Sequence, residues 1–149
     1  MMSSTTVTLQ EVLNKQIANL NVLYTKLHNY HWYVKGHQFF TLHLKFEELY
    51  NEVALHSDDL AERLLAIKGL PMARMVDYLN YSSVKEATGT ENADQMVKTI
   101  AQDFEIMIVE LRGGMVLAES LNDDTTADML LAIHTSLEKH VWMLNSFLE

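Results

Sequence analysis

Cysteine is absent from the 149-residue chain, which excludes disulfides, thiolate metal ligands and cysteine nucleophiles. Proline occurs once and glycine five times, so few residues interrupt whatever periodic structure the chain forms. No apolar run approaches the ~18 residues of a membrane span. The opening MMSSTTVTLQEV has no basic segment leading into an apolar stretch, so no secretory signal is expected. With cysteine missing as well, the expected location is the cytoplasm. Basic residues are scarce, eleven Lys and Arg against twenty Asp and Glu, for a formal net charge of −9. Nonspecific binding to phosphate backbones relies on many cationic contacts, and this balance argues against it. An acidic surface suits solubility and the attraction of cations. A glycine-rich phosphate loop, an H-E-x-x-H pattern and a nucleophile elbow are also missing.

What remains is helical periodicity over nearly the whole length, within a span that suits a single domain, 1–149. Thr8 and Glu11 form a T-x-x-E capping box. Behind it Leu13, Ile17, Leu20, Tyr24, Leu27, His31 and Val34 recur at steps of three and four, as one buried stripe does. Gly36 offers a break. A second helix over 38–67 follows, with Leu42, Phe46, Leu49, Val53, His56, Leu60, Leu64 and Ile67 inward and Gly69 and Pro71 ending it. Residues 70–90 predict a long crossover with a small helix from Met72 to Leu79. A third long helix over 91–120 carries Met96, Ile100, Phe104, Met107, Ile108, Leu111 and Met115, with Gly113 and Gly114 allowing a bend or close packing. Asp123 or Asp124 caps a fourth, which carries Met129, Ile133, Leu137, Val141, Leu144 and Leu148. Four long helices joined by short, long and short links predict an all-α, up-down-down-up, ferritin-like four-helix bundle with a short helix in the long crossover.

Two groups of residues on this scaffold suit metal chemistry. In NYHWYVKGHQFFTLH, His31 and His43 flank His37 symmetrically, and a hairpin turning near Gly36 brings them level on helices packed ~8–10 Å apart. Asp58 and Glu62, at i and i+4, share a helix face further along. His43 and Asp58 are fifteen residues apart on one predicted helix, roughly 22 Å at ~1.5 Å per residue. They cannot hold one ion within a single chain. The two histidines form one half site and the two carboxylates another, and a two-fold axis between subunits would unite them twice per dimer. Histidine and carboxylate without thiolate suit iron, and also zinc or manganese.

Each group has a plainer reading. A single histidine on an apolar stripe is more often a hydrogen-bonded core residue, and Asp58 and Glu62, beside Asp59 and Arg63, resemble a solvated face. Two histidines meeting across a hairpin favour the metal. Glu47, one turn after His43, is placed to orient that imidazole from behind. His28 and His37 are weaker candidates, and His56, His134 and His140 lack obvious partners and count as structural. Trp32 and Trp142 are ordinary packing residues or, near an oxidising iron, hole acceptors, with Tyr24, Tyr30 and Tyr33 as further ones. Asp123, Asp124 and Asp128 favour a helix N-terminus through capping and the dipole; at a three-fold axis of a closed oligomer they would ring a cation pore. No E-x-x-H step occurs, so an intrasubunit di-iron centre is not expected.

The stretch HNYHWYVKGHQFFTLHLKFEELYNE, followed by DDLAER, and the later DTTAD and KHVWML resemble the Dps-type mini-ferritins, especially their Gram-positive ferritin-like members, over essentially the whole chain. The resemblance implies a hollow homododecamer that oxidises Fe(II), preferentially with hydrogen peroxide, and stores the ferric mineral, so protecting against oxidative stress. It implies iron at two-fold interfaces on His31 and His43 of one subunit and Asp58 and Glu62 of the next, with Glu47 supporting, and an acidic three-fold pore of Asp124 and Asp128, with Asp123 a further candidate. Family members that compact DNA commonly use a basic tail. Here MMSSTTVTLQEVLNK offers one lysine and the chain ends at Glu149, so direct DNA binding is not expected, and a nonenzymatic DNA-compacting role is the alternative.

Overall fold

The computed structural model describes residues 7–149; the polar opening stretch, residues 1–6, lies outside them. Among the described residues there are five helices and no strand: α1 (Leu9–Tyr33), α2 (Phe39–Ala66), α3 (Met75–Tyr81), α4 (Ala93–Ser120) and α5 (Asp124–Leu148). The expected all-α bundle, with one short helix in its long crossover, is what forms. Side-chain pairs give the directions. Asn21 meets Ser57 across the α1–α2 hairpin. Gln16 meets Glu110 and Lys26 meets Asp103, so α1 and α4 are antiparallel. Glu52 meets His140 and Arg63 meets Asp123, so α2 and α5 are antiparallel too. The order is therefore up, down, down, up.

The expected caps hold α1 and α5. Thr8 accepts from Glu11 N–H at 3.1 Å while Glu11 accepts from Thr8 N–H at 2.9 Å; Asp123 accepts from Thr126 N–H at 3.0 Å. Asn92 and Gln95 form a second capping box, at 2.8 and 2.9 Å, that starts α4 two residues later than the spacing predicted. Gly36 turns the α1–α2 hairpin at φ +106°, a backbone region that a side chain disfavours. Helix α2 ends at Ala66, one residue short of the expected 67 and just ahead of Gly69 and Pro71. Lys68, at φ +72°, is the left-handed residue that closes the helix, and Gly69 N–H returns to Leu64 O at 2.8 Å. Gly69 is needed for space, because a Cβ there would run into the Leu64 side chain and Gln10.

Two further corrections share one cause. Tyr24, expected on the buried stripe, is 40% exposed, while Leu23 and Tyr30 are fully buried. Helix α1 packs against α2, α4 and α3, so its covered face is broader than one stripe and Tyr24 falls on the rim. The small crossover helix starts at Met75 rather than Met72 because Asn14 of α1 holds both the Leu70 carbonyl and the Met72 amide, at 3.1 and 2.8 Å, in a non-helical path. His56, Ile67, Ile108, Met129 and Val141 are half-buried and Leu148 is exposed; Leu130 and His134 are buried on α5 instead.

Gly114 sits where α4 approaches α1 and α5: a Cβ would lie 2.7 Å from Val12 Cγ1 and 3.0 Å from Leu130 Cδ1, whereas one on Gly113 would meet nothing within 4 Å. Gly114→Ala is expected to lower stability by about 1–3 kcal/mol through overpacking. Gly113→Ala is expected to raise it by about 0.5–1 kcal/mol through helix propensity. Urea unfolding at matched protein concentration checks both signs.

Candidate metal centre

Helix α1 ends at Tyr33, so the His31 carbonyl has no helical amide ahead of it. His43, in the second turn of α2, fills the vacancy: its Nδ1 lies 2.7 Å from His31 O, and His31 Nδ1 lies 2.6 Å from His43 O. A carbonyl only accepts, so both Nδ1 atoms carry the proton. In the neutral imidazoles both Nε2 atoms are then bare lone pairs. The rings stack with centroids 3.8 Å apart and planes 12° apart. Phe39 covers the His43 ring at 5.0 Å and Tyr50 stands edge-on to His31 at 5.4 Å. The tautomer is set by the backbone and the orientation by aromatic packing, as metal-binding histidines require.

Glu47 takes a different part from the one its spacing suggested. Its Oε1 lies 3.9 Å from Nε2 of His31, across the hairpin, rather than behind His43. That gap is too long for a hydrogen bond. Two donors that each lie ~2.1 Å from one tetrahedral ion stand ~3.4 Å apart, so the carboxylate would have to move inward to share an ion with His31. Asp58 and Glu62 are exposed on the far part of α2. Because α2 is one uninterrupted helix, Asp58 is roughly 22 Å from His43 along its axis. Among the described residues, no three His, Cys, Asp or Glu side chains of one chain gather in a way that could hold a metal ion. Asp58 instead borders a shallow hollow of about 320 Å³ lined by Leu20, Tyr24, Ala61, Met72 and Tyr78. Arg63, which had made the Asp58 and Glu62 face look like a solvated charge cluster, leaves it to bond Asp123 at 2.8 Å and Thr126 at 2.9 Å.

Of the acidic group at the start of α5, Asp123 is committed to that clasp. Burial pushes its carboxyl up, but the Thr126 bonds and the Arg63 guanidinium outweigh burial and hold it below the usual range. Asp124 and Asp128 are exposed. His37 is exposed in the hairpin, and His28 turns Nδ1 to Tyr24 O at 2.8 Å. Trp32 and Trp142 are 65% and 66% exposed. Tyr30 is buried away from the imidazole pair and donates to Glu91 at 2.7 Å.

His56 and His140, taken as partnerless in sequence, share one carboxylate. Glu52 receives His140 Nε2 at 2.9 Å, His56 Nε2 at 3.0 Å and the Ser136 hydroxyl at 2.6 Å. Burial works to raise the Glu52 pKa, but these bonds outweigh it and hold the carboxyl far below its usual range. The i,i+4 step from Glu52 to His56 was visible in the sequence; the reach to α5 was not. His134 also has a neighbour, Glu138, at 3.3 Å.

A Ferritin-like domain family model matches residues 10–149. The chain is 59% identical over 138 residues to General stress protein 20U of Bacillus subtilis (strain 168), covering 93% of this chain and 95% of the relative. It is also 59% identical over 138 residues to DNA protection during starvation protein 2 of Bacillus anthracis, covering 93% and 94%. The crystal structure of a Dps protein from Bacillus brevis superposes with a TM-score of 0.94 at 51% identity, over 100% of both chains.

The Glu52 cluster yields a signed expectation. Its folded pKa is depressed, so below the ordinary 4.5 the folded chain binds fewer protons than the unfolded one and stability falls with pH. Glu52→Gln should cost about 1–3 kcal/mol at neutral pH. It should also flatten the loss of stability on acidification below that value, as followed by denaturant unfolding across the acid range.

Proposed function

We propose that the chain, which belongs to the ferritin-like domain family and to its Dps branch, is the subunit of an iron-oxidising storage shell. The observation that carries this reading is the stacked imidazole pair, with both Nδ1 protons on backbone carbonyls and both Nε2 atoms free of hydrogen bonds among the described residues. Those lone pairs can take Fe(II) as substrate, and Glu47, 3.9 Å from Nε2 of His31, stands beside the pair as a supporting carboxylate. Asp58 and Glu62 of a two-fold neighbour complete the coordination, since one straight helix keeps them from their own subunit's histidines. Phe40, Leu55 and Leu70 are 80%, 67% and 75% exposed, large apolar side chains that assembly into a homododecamer would cover. Asp124 and Asp128 line the three-fold pore in this reading, while Asp123 secures the helix that carries them.

Two Fe(II) ions together supply the two electrons that turn hydrogen peroxide into water, with no hydroxyl radical released. The ferric ions hydrolyse and collect as mineral inside the shell. Trp32 and Trp142 are candidate sinks for stray oxidising equivalents. This is a cytoplasmic, oxidative-stress function, and it accounts for protection of DNA without contact: twelve copies at −9 each oppose a phosphate backbone. A DNA-compacting scaffold is the rival reading, suggested by the name of the Bacillus anthracis relative.

Replacing His31 and His43 together by Ala should slow peroxide-driven Fe(II) oxidation about tenfold or more while sedimentation velocity still finds the shell. Mixed shells of that variant with Asp58→Ala/Glu62→Ala subunits should regain part of the rate, because some interfaces then hold two intact halves; verified mixed shells without recovery would refute the shared site. The metal-free protein should leave linear DNA unshifted in a gel at physiological salt, and a tight shift would favour the rival.

A further inference from the structure

The rings beside the imidazole pair continue past it. Tyr50 stands edge-on to His31, centroids 5.4 Å apart at 85°, and stacks on His28 at 3.8 Å and 20°. Tyr24 closes on both, 5.9 Å from Tyr50 and 4.6 Å from His28. Tyr24 and His28 lie one turn apart on α1, and α2 brings Tyr50 against the face they share. Tyr50 is half-buried and Tyr24 is 40% exposed, so the two phenols lead from the metal donors toward the subunit surface. Trp32, the tryptophan nearest in sequence, touches the group only through His28, at 5.2 Å.

We propose that Tyr50 supplies the second electron for peroxide reduction when only one Fe(II) occupies the site, with Tyr24 as its relay; this rests on the iron-oxidising reading above. A lone Fe(II) can deliver one electron, which would leave hydroxide and a hydroxyl radical. That radical takes the hydrogen atom of the Tyr50 hydroxyl: the phenolic O–H bond breaks, an O–H bond of water forms, and Tyr50 becomes a neutral phenoxyl radical. In sum, one Fe(II), one tyrosine, one hydrogen peroxide and one proton give one Fe(III), one tyrosyl radical and two waters. Tyr24 gives Tyr50 one electron, ring to ring, and loses its phenolic proton to water while Tyr50 regains one from water, so that the phenoxyl radical moves to Tyr24. Because both groups are phenols, the exchange has little driving force in either direction and spreads the hole over two residues. The next Fe(II) to arrive gives its electron to the tyrosyl radical, which regains a proton from water. The overall ratio of two irons per peroxide is kept even at a singly occupied site.

The test mixes the assembled protein anaerobically with about one Fe(II) per two-fold site, then adds hydrogen peroxide and freezes the sample at intervals. Fe(II) consumption is followed separately with a chelating dye. Expected is a tyrosyl radical by electron paramagnetic resonance that narrows when the protein carries ring-deuterated tyrosine. It should fall to the iron-free background in Tyr50→Phe and decay faster in Tyr24→Phe. In the unaltered protein, a nitrone spin trap should mark Tyr50 or Tyr24 by peptide mass spectrometry, which needs no variant to fold. If Fe(II) is consumed but no tyrosyl signal forms, the proposal fails while the iron reading stands. The same follows if Tyr50→Phe retains the signal, or if deuterated tryptophan alone narrows it. Failure of the unaltered protein to consume Fe(II) overturns both.

Discussion

The long crossover constrains everything else in the subunit. Helices α2 and α4 point the same way, so the chain between them must travel back along the bundle, about 42 Å for a helix of 28 residues. Helix α1 is the rail it follows. Gln10 takes the Leu70 amide, Asn14 takes Leu70 and Met72, Lys15 reaches the Tyr81 carbonyl, and Asn19 accepts from Ser82 and Ser83. Glu110 of α4 joins by accepting from Gln16, Asn19 and Ser83. This is why α1 buries Asn14, Gln16 and Asn19, residues that would weaken a simple apolar stripe. Asn14 and Asn19 satisfy backbone and hydroxyl groups that would otherwise be stranded in the interior, and Gln16 ties Asn19 to Glu110.

That arrangement explains what was readable in the sequence. The four long helices were legible because their inner faces repeat every three or four residues and because Thr8 with Glu11, and Asp123, are local capping signals. The hairpin pairing of His31 with His43 was legible too, since a short turn at Gly36 leaves little freedom of register. Asn92 and Gln95 were an equally local signal that went unused. What could not be read depends on residues far apart in the chain: the start of α3, set by Asn14; the exposure of Tyr24, set by three neighbours of α1; and the Glu52 cluster, closed by His140 from 88 positions away. Lys68 takes the left-handed region, and its neighbour Gly69 is glycine for want of space beside Leu64, a distinction that the local sequence does not carry.

Two pairs of histidines differ in which nitrogen they spend. His56 and His140 both turn Nε2 to Glu52, which ties α2 to α5 and leaves the His140 Nδ1 without a partner in the interior. His31 and His43 spend Nδ1 on backbone and keep Nε2 bare. The first pair is a structural clasp; the second is, in the proposed function, a pair of waiting ligands. Between α1 and α4 Lys26 and Asp103 are joined at 2.7 Å with side chains 3% and 9% exposed. Burial pushes the Asp103 carboxyl up against the pull of Lys26. Within the ferritin-like architecture, the space between the four helices is thus devoted to holding the subunit together, and the proposed chemistry lies outside it.

Helix α2 then acts as a ruler, with imidazole near one end and carboxylates near the other. One inserted residue anywhere between His43 and Asp58 would slide the acidic pair by ~1.5 Å and swing it by ~100° about the axis, off any surface that a neighbour could use. The crossover, by contrast, can absorb changes of length wherever α1 does not grip it. Divergence in this fold should therefore be uneven: length is free to drift between 84 and 90, while the number of residues in α2 is as strict a part of the design as the identity of the ligands proposed for it.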